Sequence, residues 1–417
     1  MSAPLRTLTS GVKFASEHIP SAESVALTWL LPAGIAHDPE NAVGLARINE
    51  ELIQRGAATR DARAFADALD AAGVHISVSA GSRFTRLSVS FLPAHADDTL
   101  SLLVDMVREP RMEAQHCDAA RDLALQSLAS LQDEPRDRVM DTLRTTHHPP
   151  PFDRSNHGTA EGIQAVTPEL AAEQWRTHAV AGGSIIAAAG AIDPDAFANS
   201  LEQRLQGVSG ELAEITYSGI RPARGHHHEE ADTDQVHIAL AAEGPTEADD
   251  DADKARLIAA VLSGGMGARL FTEVREKRGL CYAVSANYAA AKDHGVISAY
   301  SGTTPDRAQQ TLDVLLEQLA HISTPEGAPT DDEVVRAKVG LRSKLVMAGE
   351  STSARAAALA RDVHALGTPR SLNERMERIE AITPDDLRDY IKANPIKVET
   401  IATIGSAKIE AGAAAGA

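Results

Sequence analysis

The chain has 417 residues, with 40 basic and 59 acidic side chains and a formal net charge of −19. Its length has room for roughly two or three domains, and its 43% hydrophobic and 24% charged residues are typical of a folded globular protein. The acidic balance disfavours a general nucleic-acid binder or a binder of anionic membranes, since Lys and Arg make the phosphate contacts. With only Cys117 and Cys281 present, a disulfide framework or a cysteine metal site is also disfavoured.

No segment of the sequence predicts a membrane span or a secretion signal. The most apolar runs, Val25–Ala36 and Gly183–Ile192, are too short to cross a bilayer. The start of the chain, Met1–Arg6, lacks the basic-then-apolar pattern of a signal peptide. We therefore predict no membrane partner and a cytoplasmic location.

In the first half of the chain, the residue pattern predicts strands followed by helices. Alternation at Val74–Ser79 and Thr85–Phe91 predicts two strands. Apolar residues at i, i+3 and i+7 then predict a helix from about Ala94 to Val107. A long helix near Met112–Ser130 and a β-rich stretch at Ser184–Gly190 follow.

The second half of the chain repeats this order. The segment Glu161–Leu170 reappears as Glu377–Asp386, with Thr167 matched to Thr383 at an offset of 216 residues. A match in segment, element order and spacing indicates an internal duplication. The predicted elements of the second copy are strands at Tyr282–Tyr288 and Gly295–Ser301, helices at Pro305–His321 and Thr330–Met347, and a β-rich stretch at Thr400–Gly405.

The duplication predicts an α+β fold of two similar α/β halves, each an antiparallel sheet covered by helices. We expect the N-terminal half at residues 1–210, a linker at residues 211–233 and the C-terminal half at residues 234–417. Pro222, Gly225 and the run His226-His227-His228-Glu229-Glu230 break the periodicity within the expected linker.

A glycine-rich segment in the second half is the sharpest local cluster. Gly264, Gly265 and Gly267 follow a helical stretch and allow another backbone to approach closely. Arg275 lies near the next helix end and Tyr282 lies on the following strand, so both side chains could converge beside one extended peptide. An Arg can hold a peptide carbonyl, and a Tyr hydroxyl can donate to an oxyanion. The alternative is structural: Arg275 caps helix carbonyls and Tyr282 fills the core.

The stretch from Gly264 to Val284, preceded by Asp234–Ile238, resembles the C-terminal half of the inverzincin metallopeptidases, the relatives of insulinase, pitrilysin and mitochondrial processing peptidase. The resemblance covers nearly the whole chain and implies the same duplicated α/β architecture. Further matches to the family, in the expected order, are Gly44-Leu45-Ala46, His148-Pro149 and Thr167-Pro168.

The chain departs from this family at its metal motif, H-x-x-E-H, in which two His residues bind zinc and the Glu activates the metal-bound water. The corresponding residues here are Arg47, Glu50 and Glu51, and the third ligand position holds Ser127. The resemblance therefore implies no bound metal and no catalytic residue beyond Glu50, which remains at the general-base position. The simplest interpretation of Glu50 is a bare, exposed helix glutamate.

Arg275 and Tyr282 match the family's pair that positions substrate, and the three glycines belong to the same segment. Some bacterial members are obligate pairs, in which one chain carries the metal motif and its partner carries the Arg/Tyr pair. The resemblance thus implies a substrate-positioning subunit of a heteromeric zinc endopeptidase, inactive alone, with zinc in a homologous partner subunit and a peptide as substrate. A homodimer remains an alternative to the heterodimer.

Two other functions remain open at the level of sequence. One is a non-enzymatic peptide-binding or assembly protein on the same fold. The other, the weakest, is a self-sufficient peptidase with a different metal site in the His226–His228 run, which we expect to be part of a flexible linker. His147 and His148, beside Pro149, are expected to lie in a loop.

Overall fold

A computed structural model of the protein describes residues 4–211, 215, 217 and 224–410. Its strands are β1 (Leu5–Thr7), β2 (Lys13–His18), β3 (Val25–Leu31), β4 (Gly56–Ala57), β5 (Arg60–Asp61), β6 (His75–Ala80), β7 (Thr85–Phe91), β8 (Ile185–Gly190), β9 (His226–Glu230), β10 (Val236–Gly244), β11 (Cys281–Ala290), β12 (Gly295–Thr303) and β13 (Val398–Gly405).

The α-helices are α1 (Leu45–Leu52), α2 (Ala62–Ala71), α3 (Ala96–Arg108), α4 (Ala114–Ser130), α5 (Pro135–His147), α6 (Ala160–Gln164), α7 (Pro168–His178), α8 (Pro194–Arg204), α9 (Ala252–Ser263), α10 (Ala308–His321), α11 (Asp331–Gly349), α12 (Thr352–Leu366), α13 (Leu372–Ala381) and α14 (Pro384–Ala393). Phe271–Glu276 forms a π-helical segment. The predicted strands and helices of both copies are confirmed, with their ends shifted by a few residues.

The duplicated segment has the same structural role in both copies. Thr167 is the N-cap of α7, and its side chain accepts a hydrogen bond from Leu170 N at 3.2 Å. Thr383 is the N-cap of α14 and accepts from Asp386 N at 3.1 Å, while the Asp386 side chain accepts from the Thr383 backbone. In each case proline occupies the first helical position, where its missing N–H costs no hydrogen bond. The sequence repeat is therefore a repeated helix start.

The chain divides into two compact units. Unit 1 comprises Met1–Ser130, Arg154–Thr216 and Ala348–Ser371, and unit 2 comprises Leu131–Asp153, Tyr217–Met347 and Leu372–Ala417. Each unit is a mixed sheet with helices, as the α+β prediction requires.

The sheet of unit 1 has the strand order β1-β2-β8-β3-β7-β6. Its strands are antiparallel except β2 and β8, which run parallel. The core beneath it includes the fully buried Trp29 and Trp175. Trp29 Nε1 donates to Ser184 Oγ at 2.6 Å, so the buried indole N–H is satisfied. The strand β6 forms one edge of this sheet.

The sheet of unit 2 has the order β11-β12-β10-β13-β9, with β9 and β13 parallel and the other pairs antiparallel. Its main core contains Leu240, Leu257 and Leu315. The two edges differ in chemistry: β9 is the charged and imidazole-rich run His226–Glu230, whereas β11 has no Asp, Glu, Lys or Arg between Cys281 and Ala290.

The contiguous halves expected from the sequence are wrong at two helices. Helix α5 comes from the first half of the chain but packs against β10 and β13 of unit 2, where Val139 and Leu143 contact Ala239 and Ala241. Helix α12 comes from the second half but packs against β2, β3 and β8 of unit 1. Each helix buries the sheet face opposite the main core of its unit, which drives the exchange.

The expected linker at 211–233 is also wrong in part, because β9 within it is a strand of the unit 2 sheet. The His226–His228 run is therefore paired backbone rather than a flexible tether. Residues 212–214, 216 and 218–223, including Pro222, lie outside the described residues.

The burial of α5 leads to a first prediction. Replacing Leu143, which is 4% exposed, by Ala leaves a cavity between α5 and the sheet of unit 2. We expect Leu143→Ala to lower the free energy of unfolding by about 2–4 kcal/mol, measured by urea denaturation followed by far-UV circular dichroism. The control is Leu123→Ala on α4, where the side chain is 45% exposed and little stability should be lost. Equal losses in both variants would contradict the packing of α5 in unit 2.

Candidate functional site

The helix that carries the degenerate metal motif is fixed at its start by a buried aspartate. Asp38 accepts hydrogen bonds from Gly44 N at 2.8 Å and Ala46 N at 3.0 Å, which satisfies free donors in the first turn of α1. Gly44 has φ of 115°, and an added Cβ there would lie 2.6 Å from Ile163 Cγ1. Glycine is thus required where the chain turns into α1.

The side chains at the three motif positions on α1 are held in ion pairs. Arg47 Nη1 lies 3.2 Å from Glu50 Oε2, and Glu51 Oε2 lies 3.1 Å from Arg55 Nη2. The described residues contain no group of three His, Cys, Asp or Glu that could hold a metal. Zinc is bound by neutral or negatively charged ligands, whereas here a positively charged guanidinium occupies a ligand position and pairs with the carboxylate at the general-base position. The residues present at this site therefore do not fit zinc.

Glu50 is not the bare, exposed glutamate that the sequence suggested. Its side chain is only 17% exposed, and Oε2 accepts from Ala80 N at 2.9 Å as well as from Arg47. Ala80 is the last residue of the edge strand β6. The carboxylate therefore links α1 to the edge of the unit 1 sheet, a structural role that depends on a tertiary contact.

Ser127, at the third ligand position, lies on α4, half-buried, and α4 packs against α1. A neutral serine hydroxyl is a poor substitute for a zinc-binding carboxylate. The fold thus brings the helices of the motif together in unit 1 without the groups that the chemistry requires.

In unit 2, the glycine-rich segment begins where α9 ends. Gly264 is the C-cap of α9, and an added Cβ would lie 2.3 Å from Ala260 O, so only glycine fits. Gly265 and Gly267 have nothing within 4 Å of an added Cβ. The space beside these two glycines is open, and the expected approach of another backbone stays a prediction. A pocket of about 90 Å³, open to solvent, is lined by Gly264, Gly265, Gly267, Glu333, Arg336 and Ala337, among other residues.

Arg275 lies in the π-helical segment Phe271–Glu276, and its guanidinium carbon is 5.1 Å from the centre of the Phe271 ring. This cation–π contact orients an otherwise exposed side chain. No hydrogen bond joins Arg275 to a helix carbonyl among the described residues. The structural alternative for Arg275, capping of helix carbonyls, is therefore wrong.

Tyr282 lies on the edge strand β11 and is 63% exposed, so it does not fill the core. The pairing of β11 with β12 shifts register between Cys281 and Ala283, which places Tyr282 at a β-bulge. Bulges redirect side chains and are common beside functional sites. The π-helical segment packs against β11, so Arg275 and Tyr282 lie on adjacent elements of unit 2. Burial raises the pKa of the neighbouring Cys281 thiol, which disfavours it as a nucleophile.

The histidines of β9 do not form a metal site. His226 Nε2 and His228 Nδ1 lie 3.2 and 2.9 Å from Thr403 Oγ1 on β13, so both imidazoles share one hydroxyl partner. Burial lowers the pKa of His226. Without a third ligand in the described residues, these imidazoles serve the pairing of β9 rather than metal binding.

A second group of histidines in unit 2 includes His147 and His148, which the sequence predicted to lie in a loop. His147 ends α5, where its Nδ1 lies 2.9 Å from Thr400 Oγ1, and is not part of a loop. His148 Nδ1 lies 3.1 Å from the Tyr217 hydroxyl, and the His148 and His294 rings are 4.9 Å apart. The only sequence signal for this cluster was the His-His pair itself.

The electrostatics of this cluster favour neutral imidazoles. Burial, with Arg224 nearby, lowers the pKa of His147 to about 4. Burial, together with His294 and His147, lowers the pKa of His148 to about 3. Three other charged residues lie at the cluster. Arg144 also lowers the pKa of His148, and Glu243 raises the pKa of His147. The Asp293 carboxylate lies 3.0 Å from His294 Nδ1.

The comparisons with known proteins agree with this scaffold. Residues 13–149 match the family described as insulinase (peptidase family M16), and residues 165–341 match the peptidase M16 inactive domain. An uncharacterized zinc protease of Streptomyces coelicolor is 26% identical over 92% of this chain and 85% of its own length. An uncharacterized zinc protease of Rickettsia felis is 26% identical over 95% of this chain and 96% of its own length.

Solved structures share the fold at lower identity. A peptidase M16 inactive domain from Pseudomonas fluorescens superposes with a TM-score of 0.88 and 21% identity, covering 99% of both chains. A chain of complex III₂ from Candida albicans superposes with a TM-score of 0.81 and 18% identity, covering 97% of this chain and 96% of that one.

The fold and the site together define a metallopeptidase-like scaffold that lacks the zinc motif. The chain belongs to the insulinase-like peptidase family M16. Among its described helices, none is long and apolar enough to cross a membrane.

The link between α1 and β6 can be tested by comparing two glutamates on one helix. Glu50→Ala leaves the partly buried Arg47 and Ala80 N–H without their acceptor, and we expect a loss of about 1–3 kcal/mol in the free energy of unfolding. Glu51→Ala removes only an exposed i,i+4 pair with Arg55 and should cost well under about 1 kcal/mol. Chemical denaturation measures both losses. If Glu50→Ala lowers the free energy of unfolding no more than Glu51→Ala does, the structural role of Glu50 is contradicted.

The histidine cluster predicts a dependence of stability on pH. Because the folded pKa values of His147 and His148 lie below the ordinary value of 6.5, protonation favours the unfolded chain. The contribution of these rings to the free energy of unfolding should be fully present above pH 6.5 and should decline between pH 6.5 and about 4. At about pH 5 the loss should be about 1–2 kcal/mol per ring. Unfolding midpoints at pH 7.5 and 5 measure this decline.

The histidine variants are compared by slope rather than by absolute stability. His148→Asn should reduce the decline between the two pH values, whereas His75→Asn, at an exposed position on β6, should leave it unchanged. Identical slopes for the wild type and His148→Asn would show that the cluster is not the source of the pH dependence.

Proposed function

We propose that this chain is a non-catalytic, substrate-positioning subunit of a heteromeric zinc peptidase that acts on peptides. One observation carries the proposal: the metal positions Arg47 and Glu51 are occupied by ion-paired side chains, while Arg275 and Tyr282 remain exposed on adjacent elements. A homologous partner subunit supplies the zinc ion and the general base.

In this proposal, the edge of β11, which pairs with no further strand among the described residues, supplies the peptide-binding surface. An edge strand presents unpaired N–H and C=O groups, and most proteins protect such strands with charged residues. The edge strand β9 follows that rule, whereas β11 lacks charged residues from Cys281 to Ala290. An extended peptide adds to such an edge through main-chain hydrogen bonds. The bare edge next to Tyr282 thus supports a peptide ligand.

The two side chains have distinct roles in the proposed complex. The Arg275 guanidinium, held over Phe271, donates hydrogen bonds to a carbonyl of the bound peptide. The Tyr282 hydroxyl, exposed at the bulge, would donate a hydrogen bond to the oxyanion of the peptide carbonyl under attack, and a zinc ion held by the partner would supply the activated water. Both groups act only once the partner is present, so the isolated chain is inactive.

The experiment combines co-purification with reconstituted cleavage. We expect the chain isolated from its native cells to carry a homologous subunit with an H-x-x-E-H motif, and we expect the mixed subunits to cleave peptides. Arg275→Ala and Tyr282→Phe should each lower the cleavage rate by about tenfold or more, because Arg275→Ala removes a donor to the bound peptide and Tyr282→Phe removes a donor to the oxyanion. Arg361→Ala, an exposed arginine on α12, is the matched control and should leave the rate unchanged.

The outcomes separate this proposal from a non-enzymatic role. A chain of complex III₂ has the same fold, and the missing metal ligands would also suit a peptide-binding or assembly protein without catalysis. If no metal-bearing partner co-purifies, or if the Arg275 and Tyr282 variants cleave at the wild-type rate, the substrate-positioning role is rejected and the assembly role is favoured.

A further inference from the structure

Helix α11 is apolar on two faces, of which only one is covered. Val334 and Ala337 are buried and Leu341 and Leu345 pack against the core of unit 2. On another face, large apolar side chains are exposed, with Val335 at 57% and Val339 at 60%. We define the α11 surface as the exposed residues Val335, Val339, Arg342, Val346 and Met347.

The spacing within the α11 surface is that of a helix-contact seam. Val335, Val339, Arg342 and Val346 follow one another at steps of 4, 3 and 4 residues, which places them along one stripe of the helix. A stripe of this width and spacing is what an amphipathic helix presents to another helix. Singly exposed valines are ordinary, but a continuous stripe on a soluble domain indicates an interaction site.

The charge along the middle of this stripe is opposite in sign to the net charge of the chain. Helix α11 begins with Asp331, Asp332 and Glu333, and Glu350 follows it, but from Val334 to Gly349 it carries Arg336, Lys338, Arg342 and Lys344 and no acidic residue, although the net charge of the protein is −19. Lys338 Nζ donates to Glu380 O, and the other three side chains are exposed. Charge complementarity therefore selects an acidic ligand for this surface.

Helix α11 also borders the glycine-rich segment. Arg336 and Ala337 line the same pocket as Gly265 and Gly267, and the Met266 side chain between those glycines is 77% exposed. Methionine adapts its shape to different apolar ligands, which makes it common at binding surfaces. The pocket therefore places the glycine-rich segment next to Arg336, one of the basic residues of α11.

We propose that the α11 surface binds an acidic, amphipathic helical segment of a peptide. Apolar residues of that segment cover Val335, Val339 and Val346, and its carboxylates pair with Arg342 and Arg336. This inference rests on the proposed function in one respect, that the ligand is a peptide. It adds the class of that peptide, which is acidic, amphipathic and helical. A second copy of this chain is disfavoured, because a two-fold contact through this surface would bring Arg342 near its own equivalent.

The test measures binding by the full chain alone, without any catalytic partner. The probe is a fluorescent helical peptide of about 18 residues with a leucine stripe flanked by glutamates. Two control peptides keep its length: one replaces every glutamate by lysine, and the other scrambles the sequence to remove the stripe. By fluorescence anisotropy, we expect the acidic amphipathic peptide to bind at least about tenfold more tightly than either control.

Variants of the protein identify the surface. Arg342→Glu should weaken binding of the acidic peptide about tenfold and strengthen binding of the lysine peptide, and Val339→Asp should weaken binding of the acidic peptide by a similar factor. Arg361→Glu on α12 produces the same change in net charge at an exposed position of unit 1 and should change neither affinity. The reversed peptide preference in Arg342→Glu is a gain of binding, so misfolding of the variant cannot produce it.

Several outcomes would overturn the inference. It fails if the acidic and lysine peptides bind equally, if Arg342→Glu and Arg361→Glu behave alike, or if sedimentation shows self-association that Val339→Asp abolishes. Binding of anionic phosphatidylglycerol vesicles without binding of the peptide would assign the surface to lipid instead. Because the assay contains no zinc subunit, failure of the cleavage experiment leaves this result unaffected, and the two failures remain distinguishable.

Discussion

The fold depends on burying both faces of each central sheet. Successive residues of β8 belong to two different apolar clusters, with Ile186 and Ala188 on the main core side and Ile185 and Ala187 under α12. The strand β10 has the same pattern, with Leu240 in the main core and Ala241 under α5. The alanines on the second face allow a helix to approach closely. A sheet buried on both faces presents only its edges, which are β1 and β6 in unit 1 and β11 and β9 in unit 2.

The loss of metal chemistry has left a different electrostatic arrangement at α1. A partly buried carboxylate without a cation needs other partners, since an unpaired buried charge is costly. Glu50 has two, the guanidinium of Arg47 and the N–H of Ala80. Arg47 therefore compensates the charge that zinc would otherwise compensate, and the carboxylate holds the helix to the edge strand. Glutamate at the general-base position therefore has a structural role in this protein.

Much of the fold could be predicted from the sequence, because local periodicity and an internal repeat report local structure directly. The strands β6 and β7 and the long helices α4 and α11 follow from alternation and helical spacing. The unit to which α5 and α12 each belong could not be predicted, since periodicity shows that a helix has an apolar face but not which sheet covers that face. The strand β9 was missed because a run of His and Glu lacks the β-branched and aromatic residues that predict strands.

The candidate site was predictable to a similar degree. The degenerate motif and the Arg275/Tyr282 pair can be recognised in the sequence from the residue types at fixed positions. The surroundings of these residues depend on tertiary contacts, which the sequence does not show. The partner of Glu50 lies thirty residues away, at Ala80, and the exposure of Tyr282 results from a bulge that no local pattern shows. The histidine cluster joins His147 to Thr400, residues that are separated by most of the chain. Sequence therefore identifies which groups are present, and the fold decides which of them are available.

The distribution of charge along the chain carries more information than the net charge. A net charge of −19 repels acidic ligands within a Debye length of about 8 Å at physiological salt. Helix α11 is a local exception, with four basic residues and no acidic one after Glu333. The net charge repels an acidic ligand while the basic residues of α11 attract it, so the background charge would sharpen the selectivity of the proposed α11 site. The two proposed peptide-binding surfaces, the edge of β11 and the α11 surface, would then select by different physical means, one by main-chain hydrogen bonds and the other by charge and apolar contact.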